Sequence, residues 1–113
     1  MSDGKAEGFD STNRRLRLTV RVRHRDEHDG KPIVDLLLSL YKLNGISGAS
    51  VFQGIRGYGR RGVARADLLG LSVNLPVVIE TVDEPKKIES VLSEVKRIVG
   101  HNGLVTLDET FVI

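Results

Sequence analysis

Residues 15–23, RLRLTVRVR, constrain the fold more than any other stretch of this chain. Leu16, Leu18, Val20 and Val22 alternate with Arg15, Arg17, Thr19, Arg21 and Arg23. That period of two specifies an extended strand with one apolar and one basic face. The apolar face needs a covering layer. The basic face cannot join the same core, because stacked guanidiniums repel one another and need carboxylates, solvent or an anionic ligand beside them. The strand therefore belongs to a sheet with one packed face and one face open to charge.

Two later stretches supply the cover. Ile33, Leu36, Leu37, Leu40 and Leu43 recur at helical spacing. Pro32 suits the first turn of that helix, and Asn44-Gly45 provides its stop. Ile88, Val91, Leu92, Val95, Ile98 and Val99 repeat the pattern between the start signal Asp83-Glu84-Pro85 and Gly100. Strands are predicted over about 49–55, over 73–82 and from Leu104 to the last residue. In the second of these, Leu75, Val77 and Ile79 share one face, and Val78 and Val82 share the other. Apolar residues on both faces imply that both are covered, one by helices and the other by another subunit. Pro76 has no N–H to donate, so it belongs at the strand's start or at a bulge.

The order strand, helix, strand, strand, helix, strand predicts an α+β, ferredoxin-like βαββαβ domain over residues 14–113. It would have a four-stranded antiparallel sheet with both helices on one face. Arg17, Arg21, Val78 and Glu80 would lie on the open face. Residues 1–13 read as a disordered polar tail.

Composition narrows the function classes. There is no Cys, which excludes disulfides and thiolate metal sites and fits a reducing compartment. No apolar run is long enough to cross a bilayer, and the N-terminal residues have no apolar segment of the signal-peptide kind. A cytoplasmic protein with no membrane insertion is expected. The sequence offers no paired carboxylates, no nucleophile beside a base and no metal cluster, so neither an enzyme nor a cofactor is expected. His24 and His28 in HRDEHDG have the spacing of a metal pair only on a helix. This segment lies between a strand and a helix and reads as a solvated loop.

The most distinctive chemistry lies in residues 51–76. There Gly54, Gly57, Gly59 and Gly62 interleave with Arg56, Arg60, Arg61 and Arg65. Glycines let backbone N–H groups converge on an anion, and guanidiniums add bidentate donors. The candidate effector- and phosphate-binding residues are Arg56, Gly57, Gly59, Arg60, Arg61 and Arg65. Beyond them, Val63 to Leu71 is either a short helical turn or an irregular return, with Gly70 arguing against a long helix. Gly57 to Gly62 spells G-x-G-x-x-G, but a dinucleotide fingerprint needs a sizeable helix directly afterwards. Arg56-Gly57-Tyr58-Gly59 matches the first positions of an RNA-recognition signature, yet Arg60, Arg61, Gly62 and Val63 replace its aromatic half. The first strand also lacks the aromatic platform that stacks bases, so RNA is the weaker partner class.

The stretch GASVFQGIRGYGRRG resembles the strand-to-T-loop segment of nitrogen-regulatory PII signal proteins. With LPVVIETVD, the Ile88-x-x-x-Leu92 helix and GLVTLDE, the chain is similar to a PII-like family of uncharacterised bacterial and archaeal proteins that has a shorter loop. The resemblance covers Leu16 to Ile113. It implies a homotrimer whose open sheet faces meet at the centre, with effector sites in the clefts between subunits. It also implies that Gly57, Gly59 and Arg60 contact nucleotide phosphates. Two positions depart from the PII pattern. Arg61 stands where PII proteins have a metal- and 2-oxoglutarate-binding glutamine, and Gly100 to Leu104 lacks the PII lysine. The implied function is a signalling protein that binds a small anionic metabolite or nucleotide and regulates a partner such as a transporter or an enzyme. The alternatives are a structural assembly module without ligand and an RNA-binding domain.

Overall fold

The computed structural model describes residues 8–65 and 74–113, with residues 63–65 described by their backbone alone. β1 (Arg14–Arg23) is a central strand. It is followed by the short pair β2 (Glu27–His28) and β3 (Lys31–Pro32), then α1 (Ile33–Leu43). β4 (Ser50–Gln53) leads into a hairpin of β5 (Arg56–Gly59) and β6 (Gly62–Arg65). β7 (Pro76–Asp83), α2 (Pro85–Val99) and β8 (Leu104–Phe111) complete the chain.

The main sheet has the order β4-β7-β1-β8, and all of its pairings are antiparallel. This is the ferredoxin-like βαββαβ arrangement expected from the residue periodicities. The registers Leu18↔Thr81 and Leu18↔Leu107 centre β1 between its neighbours. Leu16, Leu18, Val20 and Val22 are buried beneath the helices with Val77 and Ile79. From the helical side, Ile33, Leu37 and Tyr41 of α1 and Ile88, Val91, Val95, Ile98 and Val99 of α2 close the core. Burying side chains of this size stabilises the fold by roughly 1.5–3 kcal/mol each relative to exposure. Pro76 is the first residue of β7, where its missing N–H costs no ladder bond.

Among the described residues no helix lies on the opposite sheet face. Cross-strand register groups Arg17 with Val82 and Asp108, Arg21 with Val78 and Leu104, and Phe52 with Val78. Phe52 and Leu104 are more than half exposed. Arg17 is neutralised within the sheet, since its Nη2 lies 2.5 Å from Asp108 Oδ2. The hydrogen bonds from Arg17 hold the Asp108 carboxyl below the usual carboxylate range.

Residues 8–13, read from the sequence as part of a disordered polar tail, pack against the end of the domain. Ser11–Asn13 forms a 3-10 turn, capped by Asp10, which accepts a hydrogen bond from Thr12 N. Phe9 packs edge-on against Phe111 with ring centroids 5.3 Å apart, and Val112 N donates to the carbonyl of Asn13. An apolar contact between the two ends of the chain holds residues 8–13 against β8, and local composition does not reveal such a contact. Residues 1–7 lie outside the described residues.

Asp83 ends β7 and fastens the chain on both sides of it. It accepts hydrogen bonds from Ser47 N at 2.8 Å and Glu84 N at 2.7 Å, and Lys87 Nζ lies 3.8 Å away. Burial pushes this carboxyl up, but the two backbone donors, with help from Ser47 Oγ and Lys87, outweigh that and hold it below the ordinary range. A lowered folded value means that the stabilisation is complete above the ordinary aspartate value of about 3.9 and is lost as acid titrates the group through its lower folded value. Asp83→Ala is therefore expected to cost ~2 kcal/mol at neutral pH. It should also flatten the acid limb of a stability-versus-pH curve measured by urea denaturation. An unchanged acid limb would show that Asp83 is not the group responsible.

Candidate functional site

One end of the domain gathers the loops. The Arg23↔Pro76 and Arg21↔Leu104 pairings bring together the end of β1, the start of β7 and the start of β8. The Gln53↔Val77 pairing brings the end of β4 to the same edge. Gly54 N then donates to the carbonyl of Pro76 at 2.7 Å, so the Gly/Arg segment begins directly beside β7.

That segment is a regular β-hairpin, where a loop cradling an anion was expected. Its register is Arg56↔Arg65, Gly57↔Ala64, Tyr58↔Val63 and Gly59↔Gly62, with Arg60 and Arg61 at the turn. Of its four glycines only Gly62 has a positive φ, at 95°. A Cβ on Gly54 would stand 2.8 Å from Pro76 Cγ, so this glycine permits close approach to β7. Strand geometry sends successive N–H groups to opposite sides, so they do not converge as a loop's could. Residues 63–65 form a strand and not the helical turn or irregular return read from the sequence, and residues 66–71 of that reading lie outside the described residues.

The six candidate residues all fall on this hairpin, but they divide in position. Arg56 and Arg65 are cross-strand neighbours at its base, Gly57 and Gly59 are in β5, and Arg60 and Arg61 form the turn. Arg56 and Arg60 are exposed. Arg61 folds back onto the body of the domain, where Nη1 and Nη2 donate to the two oxygens of Asp26 at 2.8 and 2.7 Å. Asp26 also accepts from Arg23 N at 2.7 Å, and its side chain is 5% exposed against 38% for Arg61. Arg23 Nη2 donates to the carbonyl of Gly62, adding a second tie across the same gap.

Asp26 is the member of this cluster that the sequence reading missed. HRDEHDG reads as a solvated loop, and nothing local separates Asp26 from Glu27 or Asp29. In the structure, Ile33 N donates to the carbonyl of Asp26 and Asp26 N donates to that of Arg23, so the loop is wound inward at that residue. Beside it, His24, Arg25, Glu27 and Pro32 line an open depression of about 430 Å³. His28 lies 3.2 Å from Arg97 of α2 and 3.3 Å from Asp29. Among the described residues no group of three His, Asp or Glu side chains is placed to hold a metal ion. Tyr41 is buried in the core, and burial pushes its hydroxyl up to about 12, which fits packing and not chemistry.

Residues 15–112 match the DUF190 family, described as "Uncharacterized ACR". The chain belongs to the DUF190 family. A DUF190 relative, the UPF0166 protein of Methanocaldococcus jannaschii, is 41% identical over 95 residues, covering 84% of this chain and 88% of that protein. The UPF0166 protein of Aquifex aeolicus is 42% identical over 97 residues, covering 85% and 90%. Among solved structures, CPII of Thiomonas intermedia K12, a nitrogen regulatory PII-like protein bound to ADP, AMP and bicarbonate, superposes with a TM-score of 0.67. It covers 88% of each chain at 15% identity, a likeness that shows the fold. The DUF190 chain thus has the PII-like fold expected from GASVFQGIRGYGRRG and LPVVIETVD, with a ten-residue hairpin, residues 56–65, in the segment that resembles the PII T-loop.

Proposed function

We propose that this DUF190 protein is a PII-like regulator, not an enzyme. It forms a cytoplasmic homotrimer and binds a small anionic effector of the nucleotide class at the cleft between subunits. The observation that carries this reading is the position of the hairpin. A segment with four arginines and no acidic residue between Gly54 and Arg65 leaves the end of the main sheet beside the start of β7. A neighbouring subunit packed on the sheet face opposite the helices through Phe52, Val78, Val82 and Leu104 would bring its own surface against the hairpin's edge. Exposed Arg56 and Arg60 are then the principal phosphate contacts, with Gly57, Gly59 and Arg65 beside them. The ligands of CPII, which is bound to ADP, AMP and bicarbonate, support the nucleotide class. A change in hairpin position on binding would pass the signal to a partner protein, such as a transporter or an enzyme.

The test is titration calorimetry with ADP, AMP and ATP beside analytical ultracentrifugation. A trimer that binds at least one of these nucleotides is expected, with Arg60→Ala weakening the affinity about tenfold. A protein that binds none of them would overturn the nucleotide reading. A second reading, an assembly module without ligand, is favoured by Arg17 and Arg61, which already have carboxylate partners within their own chain. It predicts no nucleotide binding with the trimer intact. An RNA-binding role has less support, because Tyr58 is 89% exposed on the hairpin and stands apart from the sheet platform that stacks bases.

A further inference from the structure

We propose that Asp26 is a built-in counter-ion for Arg61, and that an anionic effector enters by taking its place, which releases the hairpin from the end of the sheet. This inference rests on the effector reading above and adds how the site is regulated. Both terminal nitrogens of Arg61 are engaged by Asp26, so that two-donor edge of the guanidinium is closed to a ligand while the pair holds. A phosphate presents the guanidinium fork with the same two-oxygen edge as a carboxylate, which makes the two groups direct competitors. The carboxylate is seated in the body of the domain, held by Arg23 N and 5% exposed, whereas the guanidinium is on the hairpin turn and 38% exposed. Separating them therefore moves the hairpin and leaves the body in place.

Charge sets the threshold. Once Arg61 leaves, Asp26 is a buried carboxylate with the Arg23 N–H as its remaining donor among those described here, and that state is costly. A monoanion offers Arg61 little more than Asp26 does. A polyphosphate offers additional charge and can hold Arg56 and Arg60 at the same time, so the exchange selects polyphosphate ligands over carboxylates and bicarbonate. The second tie, from Arg23 to the Gly62 carbonyl, is neutral on one side and gives way with the hairpin.

The test uses inorganic pyrophosphate and acetate as probes on the full chain, with calorimetry for affinity and amide hydrogen exchange over residues 54–65 for hairpin release. In the wild-type protein, pyrophosphate is expected to speed exchange in the hairpin and acetate is not. Asp26→Asn should bind pyrophosphate about tenfold more tightly and exchange rapidly without it, and adding Arg61→Gln should abolish that gain. If wild type and Asp26→Asn bind pyrophosphate equally well, the exchange is overturned and the effector reading stands. If neither binds it, the exchange is overturned, and the effector reading is decided by the titrations with ADP, AMP and ATP. Should Asp26→Asn fail to fold, Arg61→Gln carries the test alone. Its hairpin should exchange rapidly with or without pyrophosphate, and wild-type protection in that variant would overturn the proposal.

Discussion

Gly103→Ala is expected to destabilise the protein by ~3 kcal/mol or more, a large share of the ~5–15 kcal/mol that holds a domain of this size together. Gly103 precedes β8 and passes directly over β1. A Cβ there would overlap the carbonyl oxygen of Arg21 and sit 2.7 Å from Val22 Cγ1. Neither group can yield. Arg21 is paired on both sides, with Val78 of β7 and Leu104 of β8, and Val22 is in the core. The added methyl must push β8 off the central strand or break the ladder where it starts. Urea denaturation and the yield of folded protein measure the effect. A Gly103→Ala variant within 1 kcal/mol of wild type would mean that β8 can shift outward freely. Gly45, with φ at 73° and no atom within 4 Å of an added Cβ, provides a contrast, because its substitution brings backbone strain without a clash.

Val78→Arg is expected to convert the proposed trimer into monomers, a threefold drop in mass by analytical ultracentrifugation. Val78 lies at the middle of the uncovered face, opposite Arg21 on one side and Phe52 on the other. As valine it offers apolar surface to a neighbouring subunit. As arginine it would set a second cation beside Arg21 and require both to be desolvated on assembly. Because the residue alternates away from the helices, the core beneath it, with Val77 and Ile79 buried, is left intact and the monomer should stay folded. If nucleotide binding is lost together with assembly, the cleft between subunits is the site. A Val78→Arg protein that remains trimeric would remove the uncovered face from the interface.

The legibility of this chain differs between its elements. RLRLTVRVR could be placed as a strand with one packed and one basic face because alternation specifies both a conformation and a face. The two apolar stripes, Ile33 to Leu40 and Ile88 to Val99, were equally plain because helical spacing leaves one side for the core, but Leu43, read into the first stripe, is 85% exposed at the helix's last turn. The Gly/Arg segment was misjudged in shape. Glycines and arginines allow a converging loop and a hairpin alike, and residue types alone do not choose between them. Phe9 on Phe111 could not be foreseen from either end alone.

What the sequence determined by itself is the order and amphipathic character of the strands and helices, since these follow from side-chain periodicity within short windows. It also determined the membership of the family, through GASVFQGIRGYGRRG and LPVVIETVD. Only the tertiary structure decided that Arg56 and Arg60 of the hairpin face solvent and that Arg61 is bound. Asp26 and Arg61 are 35 positions apart, and a bidentate ion pair forms only when folding brings a buried carboxylate within 3 Å of a guanidinium fork. No local pattern encodes that distance.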